Sequence, residues 1–278
     1  MSDRRRITRY RCNDCGKQFS SSTFHEDYRQ KRREINPKIY ELMSSGISQR
    51  RLARVLQVNP KTVIRKFRLL ADRVRMEHEV WLTKFKDSPI SAVQFDDLET
   101  SEHTKCKPVS VTLAVHKETR EILGFRVSQM PAKGLLAKIS VKKYGYRKDH
   151  RPKAWDDLFR SLKPIVSQNA FFESDENPHY PKYLKRHFKT AIHKQYPGAR
   201  GAVTGQGELK KLRFDPLFAL NHACAMLRAN MNRLFRRTWC TTKNLQGLID
   251  HLSLYVSYHN QVLIPLRAQR KGAVYQNH

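Results

Sequence analysis

Acidic residues are scarce in this chain. Its 278 residues include 25 Asp and Glu against 54 Lys and Arg, a formal net charge of +29. An excess of that size implies a polyanionic partner, most simply nucleic acid. Long apolar runs are missing too. None approaches the roughly 18 residues that a membrane-spanning helix needs, and no basic amphipathic anchor stands alone, so a membrane is not expected among the partners. The stretch Met1-Ser2-Asp3-Arg4-Arg5-Arg6 has no apolar core behind it, which excludes a secretory signal. The cysteines number five, odd and scattered. That argues against a disulfide framework and for a reducing, cytoplasmic setting. Hydrophobic residues make up 39%, enough for a core, and the length allows a small and a larger domain.

Cys12-Asn13-Asp14-Cys15-Gly16 has the form of a zinc-knuckle turn: two thiolates converge while Gly16 permits a left-handed backbone. Cys12 and Cys15 could hold zinc, but zinc takes four ligands and the turn supplies two. His25 is a weak third candidate, and a knuckle remnant is the plainer reading. Residues 36–72 then read as three short helices. Ser48 is placed to cap the second helix, and Asn59 to cap the third with Pro60 at its first position. Leu52, Val63, Ile64 and Phe67 are expected inside. Lys61, Thr62, Arg65, Lys66 and Arg68 are left for solvent or a major groove, the pattern of a helix-turn-helix with a basic recognition helix. A plain helical bundle with a solvated basic face is the alternative. Residues 73–88 continue helical and are expected to join two domains.

Ala92-Val93-Gln94-Phe95-Asp96-Asp97 reads as a short buried strand running into carboxylates. Buried acids are expensive unless a cation sits beside them, and a divalent metal that also grips phosphate is the natural candidate. Val109, Val111, Leu113 and Val115 alternate with period two, and residues 121–127 follow after a turn, so three strands form an antiparallel meander. Residues 130–151 look irregular and basic, a loop over nucleic acid. A helix around Trp155 follows, and Ala170 to Asp175 is a second apolar strand ending in an acid. His193 to Leu212 looks like a Gly-rich mobile loop. A helix from Pro216 to Arg237 carries an apolar stripe from Leu217 to Leu234, with Asn221 and Arg228 on its edge. A final helix carries Leu245 to Val256, and residues 263–278 form a basic tail. The order of elements over 89–262 is that of an RNase H-like α/β/α domain with a mixed sheet, so the fold class expected is α+β. In such a fold the first and fourth strands are neighbours, and Asp96 would meet Asp175. Carboxylates so close repel unless divalent metal bridges them.

With these features the sequence resembles bacterial DDE transposases, most closely those of IS1-type insertion elements. The likeness spans residues 1–30 (knuckle), the helix-turn-helix, both acid-ended strands and the tract Arg233-Leu234-Phe235-Arg236-Arg237-Thr238-Trp239-Cys240. The resemblance implies metal-dependent DNA strand cleavage and strand transfer with Mg²⁺ or Mn²⁺, double-stranded DNA as partner, and a homo-oligomer in the bacterial cytoplasm with the nucleoid. It assigns catalysis and metal binding to Asp96 and Asp175. Arg228, Arg233, Arg236 and Arg237 become DNA contacts. The third catalytic acid should stand seven residues before Arg228, where this chain has Asn221. Either the amide serves, or another group such as Glu208 completes the site, or the protein binds DNA without cutting it.

Overall fold

The computed structural model describes residues 6–25, 28, 30–197, 215–235 and 241–275. The first element is a hairpin of β1 (Arg9–Arg11) and β2 (Gln18–Ser20), with Tyr10 stacked on Phe19 at 5.4 Å. Its turn carries Cys12 and Cys15 and closes through Gly16 at φ +67°.

Three helices follow: α1 (Asn36–Met43), α2 (Gln49–Val55) and α3 (Pro60–Leu82). The caps fall where the sequence puts them. Ser48 Oγ accepts from the Arg51 amide at 3.3 Å, and Asn59 Oδ1 from the Lys61 amide at 2.8 Å. Each thereby satisfies a helix N–H that has no partner within its own helix. Ile39, Leu52, Val63 and Phe67 form the small core between these helices. Ile64, expected with them, stays exposed. The boundary expected between residues 72 and 73 lies inside one 23-residue helix. The cause is visible in the sequence: Phe67, Leu70, Ala71 and Val74 extend the apolar stripe of α3, and no Gly or Pro interrupts it after Pro60.

The remaining strands build one mixed sheet: β3 (Ile90–Ser101), β4 (Pro108–His116), β5 (Ile122–Gln129), β6 (Val166–Asp175) and β7 (Ile192–Tyr196), in the spatial order β5-β4-β3-β6-β7. The first three form the expected antiparallel meander, while β6 pairs parallel with β3 and β7 parallel with β6. Interior strand β4, between β5 and β3, is buried on both faces. Its Val109, Val111, Leu113 and Val115 enter one core, and Ala114 the other. The face of Ala114 is covered by α5 (Arg151–Leu162) and α6 (Tyr180–His187) over an aromatic cluster of Phe95, Phe159, Phe172 and Phe188. The face of Val109 to Val115 is covered by α7 (Phe218–Asn230) and α8 (Leu245–Tyr258). The α+β arrangement with a mixed sheet therefore matches the sequence reading. Among the described residues, no helix is long and apolar enough to cross a membrane.

Four segments depart from expectation. The stretch 130–151 is not irregular throughout, because α4 (Leu136–Tyr144) forms within it, closed by Gly145 at φ +76°. His193 begins no loop: Ile192–Tyr196 is the edge strand β7, held by the register Phe172↔His193. The helix expected to reach Arg237 stops at Asn230, where Met231 turns extended to bury its side chain. The basic tail expected over 263–278 is helical where described: a π-helical turn (His259–Leu263) leads into α9 (Ile264–Tyr275).

α8 also closes the helical core, through Leu254 and His251. Buried His251 donates Nε2–H to the Met43 carbonyl at 2.8 Å and packs edge-on to Phe67. Burial pushes its pKa down to about 4. The unfolded chain takes up this proton near the ordinary histidine value and the folded chain does not. Its stabilising effect is therefore complete above pH 6.5 and lost as pH falls toward 4. His251→Gln, which keeps a donor for Met43, should reduce the loss of stability between pH 7 and pH 5 by about 2 kcal/mol, measured by urea denaturation at both pH values.

Candidate active site

The site grows from the parallel contact of β3 with β6. Their register runs Ala92↔Phe171, Val93↔Phe172, Gln94↔Glu173. Two residues further along each strand stand Asp96 and Asp175. Side chains two apart share a sheet face, so the register carries both carboxylates to neighbouring positions. Asp96 is not at a strand end, as the sequence suggested. β3 continues to Ser101 along β4, with Asp96 opposite Leu113. Its neighbour β6 is what ends, at Asp175. The acids thus stand where one strand leaves the other.

Their electrostatics are strained. Burial, and then repulsion from Asp175, push the Asp96 carboxyl up to about 7. Burial likewise raises Asp175 above the usual carboxylate range, with further repulsion from Asp97 and Glu176, against which the Asn177 amide donates to Asp175 Oδ1 at 3.2 Å. Asp96 Oδ1 accepts from its neighbour's amide, Asp97 N, at 2.6 Å and from the Tyr180 hydroxyl at 3.1 Å. Burial and the three surrounding aspartates hold Tyr180 protonated, so it acts as a donor here. Asp97 projects to the other face. Its oxygens accept from Thr112 Oγ1 at 2.5 Å and Trp155 Nε1 at 3.0 Å. With both oxygens engaged in the aromatic core, Asp97 is a structural acid beside the site.

Beneath the acids lies a buried polar bridge that the sequence reading missed. Gln94 Nε2 donates to Glu173 Oε2 at 2.8 Å and to the Pro216 carbonyl at 2.7 Å, while Gln94 Oε1 accepts from the Leu220 amide at 3.0 Å. Glu173 also receives Lys117 Nζ at 2.9 Å and Tyr196 OH at 3.0 Å. One amide thereby fastens the start of α7 onto both strands. The available signal was a Gln and a Glu at inward positions of two otherwise apolar strands, where an unpaired polar group would be costly.

α7 then passes over β3. Burial, and then the charge of Asp96, push the Cys224 thiol on this helix up to about 12. Asn221, one turn earlier, is exposed and turns its amide elsewhere: Nδ2 donates to Asp215 Oδ2 at 2.9 Å. Asp215 also accepts from the Leu217 amide at 3.0 Å and so holds the helix start. An Asp before a Pro at a helix start is a recognisable capping signal, and Asp215 is the acid in contact with the position expected to hold the third carboxylate. Glu208 lies outside the described residues. Among the described residues, no group of three or more His, Cys, Asp or Glu side chains is gathered to hold a metal ion. Asp96 and Asp175 form a pair.

The basic residues divide. Lys61, Arg65 and Arg68 are exposed and recur at helical spacing on α3, with Thr62 half-buried beside them. Lys66 is not among them. It is buried, with Nζ on Asn36 Oδ1 at 2.7 Å and Gln30 Oε1 at 3.2 Å, because its position falls on the inward stripe next to Phe67. Arg228 lies one turn beyond Cys224, and its charge works to lower that thiol's pKa. Arg233 is half-buried against α8: a Cβ added at Gly247 would stand 3.3 Å from its Nη2, and burial lowers its pKa. Arg236 and Arg237 lie outside the described residues. In the hairpin, the backbone amides of Cys15 and Asp14 hold the Cys12 thiol below its ordinary pKa.

No family model matches the chain, and no curated protein matches it.

Because the folded state keeps Asp96 protonated to higher pH than the unfolded state, its contribution is complete at low pH and is lost as pH rises toward 7. Asp96→Asn should therefore raise Tm at pH 8 without divalent ions by about 4 °C, what 1–2 kcal/mol is worth in a chain of this size, and by much less at pH 5. Added Mg²⁺ should raise Tm of the native chain and leave the variant unmoved. Glu173→Ala should cost about 1–3 kcal/mol in urea denaturation, from one Gln94 N–H and the Tyr196 hydroxyl left without an acceptor. Lys117 can turn to water and adds little to that cost.

Proposed function

We propose that this chain is a DNA transposase of the insertion-element type, with an RNase H-like domain that carries out metal-dependent strand cleavage and transfer. The observation that carries the reading is the Asp96–Asp175 pair at the parting of β3 and β6, within the order β5-β4-β3-β6-β7. In a chain with a net charge of +29, two partly buried acids, both raised by burial and Asp96 further by repulsion from Asp175, form a donor set suited to a hard divalent cation. Asp96 and Asp175 would hold Mg²⁺ or Mn²⁺. When bound, such an ion neutralises the pair and supplies Lewis acidity toward phosphodiester oxygens. Tyr180 orients Asp96 through its hydroxyl, and the Asn177 amide orients Asp175. The bridge of Gln94 fixes how α7 lies over both. α1, α2 and α3 form a helix-turn-helix whose Lys61, Arg65 and Arg68 contact duplex phosphates and groove edges. A homo-oligomer follows from the need to act on two element ends. Cys12 and Cys15 would furnish two of the four ligands of zinc, and the described residues supply no further pair, so no zinc site is assigned.

A specific observation favours a second reading, a transposase-derived DNA-binding protein that does not cut. Asn221 stands where a carboxylate is expected, and its amide is already taken by Asp215. A glutamate there would lose that bond and face Asp215 as a like charge.

Nicking of supercoiled plasmid in Mg²⁺ or Mn²⁺, beside duplex binding by fluorescence anisotropy, tests both readings. The expected result is nicking abolished by chelation and reduced at least about 100-fold by Asp96→Asn or Asp175→Asn, with binding intact. Unchanged nicking in both variants would overturn the site. Duplex binding without nicking would select the second reading, and Asn221→Glu with Asp215→Asn would then ask whether the acid alone is missing.

A further inference from the structure

α4 and its flanks form an arm that the proposed chemistry does not use. Nine residues of helix bury only Ser140, whose Oγ donates to the Cys106 carbonyl at 2.6 Å. So short a helix has little stability of its own, and this one turns its apolar side chains outward. Leu135 is 94% exposed and Tyr146 83%, with Ile139, Val141 and Tyr144 also in solvent. Between them stand Lys138, Lys142, Lys143 and Lys148, all exposed and in no ion pair among the described residues. The arm is seated by Lys133 on Glu99 at 2.7 Å, three residues beyond Asp96 on β3. Past Gln94 the pairing of β3 with β6 ends while β3 runs on along β4. The arm therefore stands beside the stretch of β3 that leads away from the acid pair.

An occupant of this surface must offer regularly spaced negative charge and flat apolar faces together. Duplex DNA offers the first and hides the second within its stacked pairs. A second copy of this chain would bring its own positive excess. Unpaired nucleotides offer both, with phosphates for the lysines and base faces for Tyr144, Tyr146 and Leu135. We propose that the 133–148 arm is a single-stranded nucleic-acid binding surface that holds nucleotides unpaired along the stretch of β3 beyond the acid pair. The inference rests on the nucleic-acid reading of the chain but not on its being catalytic.

Fluorescence anisotropy of the full chain at 0.15 M salt, with a labelled 30-nucleotide oligo-dT strand and a 30-base-pair duplex, tests it. Tyr144→Ala/Tyr146→Ala should weaken single-strand binding by about tenfold or more, as expected for lost aromatic stacking. It should change duplex binding less than about twofold, and Tyr144→Phe/Tyr146→Phe should bind single strands like the native chain. Equal losses on both probes, or no loss on single strands, would overturn the proposal and leave the DNA-binding reading intact. Failure of the native chain to bind either probe would overturn both. If the alanine variant instead loses cosedimentation with phosphatidylserine vesicles, or changes mass in sedimentation, while single-strand binding stands, the arm serves a membrane or a second copy and the proposal falls. Circular dichroism of the variants establishes that these exposed substitutions leave the fold unchanged.

Discussion

The arrangement depends on one buried amide. Gln94 touches β6 through Glu173 and the start of α7 through Pro216 and Leu220. Without it Glu173 Oε2, the Pro216 carbonyl and the Leu220 amide would each lose a partner, and the low dielectric around them makes that loss expensive. The constraint therefore works in both directions. Gln94 fixes where α7 begins, and α7 in turn supplies the apolar side chains that keep water from the bridge. The course of α7 over β3 follows from this anchoring.

Charge is distributed unevenly in a telling way. Acids are few, yet several are committed to the interior: Asp97, Glu173 and Asp250 each have specific partners there. Asp96 and Asp175 differ in standing against each other. Tyr180 and backbone amides donate to them, but no cation is recorded as an ion-pair partner of either among the described residues. A scarce residue type placed twice at one point, where it destabilises the folded chain at neutral pH, is the kind of expense that function imposes on a fold.

Much of this was legible beforehand, for physical reasons that can be named. The meander was readable because Val109 to Val115 alternate on a strand buried on both faces, and the helix starts because Ser48 and Asn59 have side chains that satisfy free amides. Asp96 and Asp175 could be paired because strand order alone makes their strands neighbours. The misses share a cause as well. α4 has no apolar stripe turned inward, so periodicity could not announce it. β7 is an edge strand whose pattern is half polar, and Lys66 was assigned by charge when its helical position beside Phe67 decided its burial. Asn221 could be located from the sequence, but its bond to Asp215 could not, because that bond depends on how Asp215 folds back over the first turn of α7.

α3 has a consequence of scale. A helix of 23 residues spans about 34 Å at 1.5 Å per residue, close to one turn of duplex DNA. One end carries the exposed Lys61, Arg65 and Arg68. The other runs into Trp81 and Lys84, whose ammonium reaches Glu121 beside β5. No joint interrupts it. On the proposed reading the helix is a measuring rod: the distance between the sequence that is gripped and the bond that is attacked is set by the length of a rigid element. Its packing on α8, with Phe67 edge-on to His251 and Arg75 paired to Asp250, fastens the rod to the domain along its length as well as at its ends.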